Sequence, residues 1–183
     1  MPAEYGMQLL SAFWNRQHCS GSVVYRPCFM RDMVCQGPYY TPLLLNAMLF
    51  LASKHLPSLM KDCATLDVCA GGMVSRRKVE DCLYRSGTSV LCTSRITTIQ
   101  ALLLMTDALF SWCDERSLSW HYLGIAINMI VDLGVHTVRS DFYRTRSAED
   151  QEVGRRVFWA AYGMERHRSP RWANRCVTND PRQ

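Results

Sequence analysis

Arg95–Trp112 reads RITTIQALLLMTDALFSW, and its periodicity decides the fold class. Ile99, Leu102, Leu103, Thr106, Leu109 and Phe110 recur at i, i+3, i+4 spacing, so one face of a helix gathers them. A strand would need alternation with period two, and no stretch of the chain sustains it with β-branched enrichment. Downstream, Glu115–Gly134 (ERSLSWHYLGIAINMIVDLG) is apolar around most of its circumference, which predicts a central helix. Gly134 stands where a helix end needs left-handed geometry, and Gly124 predicts close approach of a neighbouring helix. A polar loop, TVRSDFYRTR (Thr137–Arg146), follows. Ser147 and Asp150 then predict a capping box, and Glu149, Asp150 and Glu152 suit the positive end of a helix. That helix, Ala148–Arg166, puts Phe158, Ala161, Tyr162 and Glu165 on adjacent ridges.

Upstream, Thr41-Pro42 predicts a clean helix start for PLLLNAMLFLASKH (Pro42–His55), which is apolar on nearly every face and stops before Pro57. Glu4–His18 gathers Met7, Leu9, Leu10, Phe13 and Trp14 at helical spacing. Between them, VVYRPCFMRDMV (Val23–Val34) reads as a connector, because Pro27 biases Arg26 towards extended geometry. Leu56–Gly72 has room for a short helix broken at Gly71-Gly72, and Val74–Val90 gives another helix carrying Val74, Val79, Cys82 and Leu83. The sum is an all-α, irregular multi-helix bundle.

The 183 residues fit one domain, and 48% apolar composition supplies a core. The net charge of +5 is concentrated near one end: residues 155–182 hold seven arginines against Glu165 and Asp180, so residues 1–154 are neutral. A neutral body argues against a broad nucleic-acid-binding face. Nine cysteines lie at long spacings with no C-x2-C pair, which argues against a zinc site in this chain. They read as reduced thiols, mostly filling helical core positions, and fit a cytosolic or nuclear compartment. The N-terminal MPAEYGMQLL lacks the basic and apolar regions of a secretory signal. The longest apolar run is far below the roughly 18 residues of a membrane span.

No G-x-S-x-G, H-E-x-x-H or Gly-rich phosphate loop is present. Asp114-Glu115 and Glu149-Asp150 are sequence neighbours, so neither pair faces itself across a helix turn as catalytic carboxylates would. His55 and His136 read as capping or packing residues rather than ligands. Phe158 and Trp159 read as core aromatics, with an inducer pocket as the sharper alternative. No catalytic, cofactor or metal residue is assigned.

Three pieces in order carry a resemblance: TTIQALLL, WHYLGIAINMIVDLGVH and EVGRRVFWAAY. They resemble the fungal-specific transcription factor domain, the middle homology region of fungal binuclear zinc-cluster regulators such as those of xylanolytic and nitrate type. The matching positions are Thr98, Gln100, Ala101, Leu102 and Leu103; Gly124, Ala126, Met129, Asp132, Leu133, Gly134 and His136; and Glu152, Arg155, Arg156, Phe158 and Trp159. YRPCFMRDMVCQGPYYTPLLLNAMLFLASKH, from Tyr25 to His55, resembles the family's N-terminal part. The likeness runs from about Leu9 to Arg166.

The resemblance implies a regulatory domain of a nuclear transcription factor, without enzymatic activity. Zinc and DNA reading would belong to an upstream six-cysteine cluster whose pattern this sequence lacks. Family members continue past the last matched helix into an Asp-Arg or Asp-Lys pair and a Gly-Arg-Pro turn. Here Glu165-Arg166 stands near that position and HRSPRWANRCVTNDPRQ follows. The expectation is a regulatory domain over 1–166, truncated, with its bundle incomplete at the C-terminus. The basic tail, 167–183, is expected to be disordered or aberrant. Exposed apolar surface on VFWAAY and poor solubility are the expected consequences. Arg155 and Arg156 are expected to pair with acids of a neighbouring helix, for example Asp132. Protein partners or self-association and a small-molecule inducer are the expected contacts, with no membrane. A small-molecule-binding helical protein, or a stand-alone dimerisation module, is the alternative.

Overall fold

The structure, a computed structural model, describes residues 3–15, 23–55, 65–84, 90–111, 113–137 and 147–168. Among them lie seven α-helices and no strand: α1 (Ala3–Asn15), α2 (Arg26–Cys35), α3 (Pro42–Ser53), α4 (Thr65–Tyr84), α5 (Ile96–Ser111), α6 (Arg116–Asp132) and α7 (Ala148–Arg168). A short 3-10 turn, Val90–Cys92, precedes α5. The all-α architecture is the one expected. The loop expected at Thr137–Arg146 falls, beyond Thr137, outside the described residues, as does the tail after Arg168.

α3 and α5 form the centre. α3 packs against α1, α4 and α5, and α5 packs against α3, α6 and α7, while α7 also lies on α6. Their sequences explain this. α3 buries Leu43, Leu44, Ala47 to Ser53 without a break, and α5 buries every residue from Thr97 to Thr106. Helices apolar all round need neighbours on every side. Phe110, on the expected stripe, sits at the end of α5 and is exposed, as is Met7 in α1 and Val74 in α4.

The caps follow local chemistry. The Thr41 hydroxyl accepts from Leu44 N at 3.2 Å. Ser147 and Asp150 cap α7 reciprocally: Asp150 N donates to Ser147 Oγ (3.2 Å) and Ser147 N to Asp150 Oδ2 (3.3 Å). Gly134, at φ 70°, ends α6; its N–H donates to Val131 O (3.0 Å) and Val135 N–H to Ile130 O (3.1 Å). Those paired bonds make a Schellman turn, closed by the buried side chains of Ile130 and Val135.

Two segments differ from expectation. Val23–Val34 is not a connector: Arg26–Cys35 is helical, with Tyr25 in the extended N-cap geometry and Pro27 at the start of the first turn. Proline is harmless there because its missing N–H would have no intrahelical partner. Nor do Gly71 and Gly72 break a helix; α4 runs through both. The reason is packing: a Cβ on Gly71 would stand 2.6 Å from Cε1 of Tyr5, so the ring of α1 occupies the missing side chain's place.

Of the five cysteines whose side chains are described, Cys28 is buried, Cys82 and Cys113 are partly buried against the core, and Cys35 and Cys92 are exposed. Among the described residues no three His, Cys, Asp or Glu side chains gather as a metal would require, and no helix is long and apolar enough to cross a membrane.

Candidate functional site: the outer face of α7

The residues of the three sequence motifs divide between core and surface. Gln100, 2% exposed, lies in the middle of buried α5, and its Nε2 donates to the carbonyl of Val23 at 2.9 Å. It ties the α1–α2 connection to the central helix and satisfies a backbone acceptor that would otherwise be buried alone. Ala101 and Leu102 are core residues beside it. Gly124 does not mediate close packing: it is exposed, with open space where a Cβ would stand.

α7 is held in place by its first turns. Glu149 accepts from Arg31 of α2 at 3.0 and 2.9 Å, and Arg31 also binds Asp32 at 2.9 Å. Asp32 is buried and accepts from Tyr39 N at 2.8 Å. The Tyr39 hydroxyl donates to Asp150 at 2.6 Å, and burial together with that carboxylate pushes its pKa up. Cys28 lies in the same junction, where burial and Glu149 raise its thiol pKa, so it is a poor nucleophile. Beyond this latch, α7 buries Val153, Val157, Ala160, Ala161 and Met164.

Arg155 and Arg156 do not reach Asp132, which is exposed on α6. Both bind Glu152, one turn back on their own helix: Arg155 through Nε and Nη2 at 2.8 and 2.9 Å, Arg156 through Nε at 2.6 Å. The two guanidinium groups hold the Glu152 carboxyl down to about 2. Arg156 also covers the ring of Tyr25 at 4.8 Å. One arginine therefore faces α2, and the other, 58% exposed, faces outwards.

The outward face forms a cleft of about 460 Å³ between the α6 turn and α7. Among the described residues Val135, His136, Ala148, Gln151, Glu152, Arg155, Phe158 and Trp159 line it. The turn at Gly134 presents His136 there, exposed. Trp159 is not a core residue: it is 56% exposed and stands on the i+4 ridge above Arg155. It is propped edge-on by Phe158 (centroids 5.4 Å) and Tyr162 (5.6 Å). Phe158 and Tyr162 are half-buried and stacked at 6.3 Å, so VFWAAY leaves one large aromatic uncovered rather than a whole strip.

A second charged cluster has no counterpart among the motif residues. Arg76 of α4 forks onto Glu115, the N-cap of α6, at 2.5 and 2.8 Å, and binds Glu80 at 2.8 Å. It lowers the Glu115 pKa. Nothing local in SRRKVED separates Arg76 from Arg77, which is exposed; only the partner 39 positions away distinguishes them.

Among the described residues, then, the sequence motifs stabilise an all-helical core and expose one mixed polar and aromatic face. The chain belongs to the fungal specific transcription factor domain family, whose model matches residues 10–169. It is 26% identical over 164 residues to an uncharacterised transcriptional regulatory protein of Schizosaccharomyces pombe, covering 87% of this chain and 24% of that protein. Over 74 residues it is 28% identical to cutinase transcription factor 1 beta of Fusarium vanettenii, covering 40% of this chain and 8% of that one. The chain thus spans about a quarter of the first relative and less of the second. No solved structure matches. The family is a domain of transcription factors, and both relatives are named as transcriptional regulators.

Proposed function

We propose that this domain acts in the nucleus as the non-enzymatic regulatory part of a transcription factor, controlling activity through protein contacts and a small-molecule inducer. The family match across most of the chain carries this reading. DNA sequence would be read by a separate zinc-cluster module of the whole regulator, since this sequence has no C-x2-C pair from which to build one. Among the described residues the exposed ridge of α7 carries Gln151, Arg155 and Trp159, and Glu152 binds both Arg155 and Arg156. The latch between α2 and α7 supports relay, because a partner that pulls on α7 must act on the Arg31–Glu149 and Tyr39–Asp150 bonds.

The test is a fusion of the full chain to an unrelated DNA-binding module upstream of a reporter in a fungal cell. The expected result is nuclear accumulation and a reporter output different from that of the DNA-binding module alone. Stable nuclear protein with unchanged output would refute the reading.

A further inference from the structure

The helix α6 carries two charges at the wrong ends for its own dipole. A helix favours acids at its N-terminus and bases at its C-terminus. Arg116 opens α6 and Asp132 closes it, with no acid in the first turn and no base in the last. The N-cap Glu115 is taken up by Arg76. Among the described residues nothing pairs with the Asp132 carboxylate. Arg116 gives only its Nε to Asp114, at 3.0 Å, in a pair whose side chains are 69% and 80% exposed. So exposed a pair contributes little, and the Nη donors of Arg116 have no partner among the described residues.

Both charges lie on one solvent-facing ridge. Arg116, Trp120, Gly124, Asn128 and Asp132 recur every four residues, and all of them are exposed. Val131, beside the ridge, is exposed as well. The i, i+4 row is the ridge by which helices most often pack, with axes crossing at about 50°. Gly124 stands at its middle, with open space where a Cβ would be. The ridge is its own complement about that glycine. Reversed end for end, it sets Arg116 against Asp132, the indole N–H of Trp120 against the side-chain carbonyl of Asn128, and Gly124 against Gly124. Each charge then lies at the end of the second helix that suits its sign. A two-fold interface needs such a patch, in which residue i meets j and j meets i. An unlike partner needs no such symmetry.

We infer that a second copy of this chain docks antiparallel on the outer ridge of α6, about a two-fold axis at Gly124. The inference deepens the proposed control through protein contacts and rests on that reading for its biological meaning. The association itself stands on the ridge. A contact confined to one helix face falls at the low end of interface size, below roughly 1,200 Å², so the dimer is a weak one.

Sedimentation velocity of the full chain, from about 10 µM to about 1 mM, tests it. The expected result is a monomer–dimer equilibrium with no larger species, since a two-fold contact closes on itself. Gly124→Leu should abolish the dimer without lowering the thermal unfolding of the monomer, because the new side chain enters open space and leucine is the better helix former. Arg116→Glu and Asp132→Arg should each weaken association about tenfold, by setting like charges together at both ends. The double variant should recover most of the loss. A chain that stays monomeric at every concentration overturns the inference and leaves the ridge to an unlike partner. A dimer that survives Gly124→Leu, or that the double variant fails to recover, also overturns it, because the contact then lies elsewhere. These outcomes are separable from the fusion experiment: a failed association leaves reporter regulation intact, and a silent reporter leaves the sedimentation result intact.

Discussion

Replacing Gln100 by leucine keeps side-chain size and removes one hydrogen bond. The Val23 carbonyl, accepting from Gln100 Nε2 at 2.9 Å, would then be left without that partner inside the protein. Val23 and Gln100 are 4% and 2% exposed, so water cannot substitute. An orphaned buried acceptor costs about 1–3 kcal/mol. For a chain of this size that is a fall in Tm of about 2–12 °C. Urea unfolding of the full chain, followed by circular dichroism, should show a lower midpoint with an unchanged slope. Gln100→Glu should be worse near neutral pH, because a carboxylate would face a carbonyl, and should recover as the pH falls and the acid becomes a donor. The reasoning is refuted if Gln100→Leu leaves the midpoint where it was, or if Gln100→Glu shows no pH dependence beyond the parent's.

Arg76→Ala should lower stability by about 1–2 kcal/mol, since a part-buried fork onto Glu115 is lost. Arg76→Lys should recover less than half, because an ammonium cannot form the paired bonds; full rescue in thermal melts would refute the geometry. Gly134→Ala should cost about 1–2 kcal/mol through its φ of 70°, and Gly134→Asn less, as read by chemical denaturation. Glu152 titrates at about 2 in the folded state, below the roughly 4.3 of a free glutamate. Its stabilisation is therefore present above the unfolded value and lost as pH falls towards 2. Glu152→Gln should flatten the acid limb of urea midpoints measured from pH 5 to 2; an unchanged limb would count against the Arg155 and Arg156 bonds.

The elements written in local chemistry were legible. Thr41-Pro42, Ser147 with Asp150, and Gly134 each act through bonds to residues at most four positions away. The periodicity of α3, α5 and α6 needed no partner to be read. What escaped the sequence depends on distant chain. Gly71 interrupts a helix by propensity alone, and only the Tyr5 ring makes it an asset. Pro27 signals a break until Tyr25 is known to be the cap. Gly124 suggests contact, yet α6 turns it to solvent. Trp159 reads as core because its size favours burial; the path of α6 and α7 decides that Val157 and Ala160 go inwards instead.

The run E-V-G-R-R-V-F-W shows how spacing places charge on α7. Adjacent helical residues diverge by roughly 100°, so Arg155 and Arg156 cannot serve the same side. Position 152 is the residue that is both three before Arg155 and four before Arg156, hence one carboxylate reaches both. Glu152 thereby directs Arg156 over Tyr25, joining α7 to α2, and holds Arg155 on the open face four residues before Trp159. Moving the acid by one position would lose one of the two bonds. The motif accordingly couples the seat of the helix to its outer face, because Arg155 and Arg156 share one carboxylate. A substitution at Glu152 therefore disturbs both the α2 contact and the outer face, because the same glutamate serves both arginines.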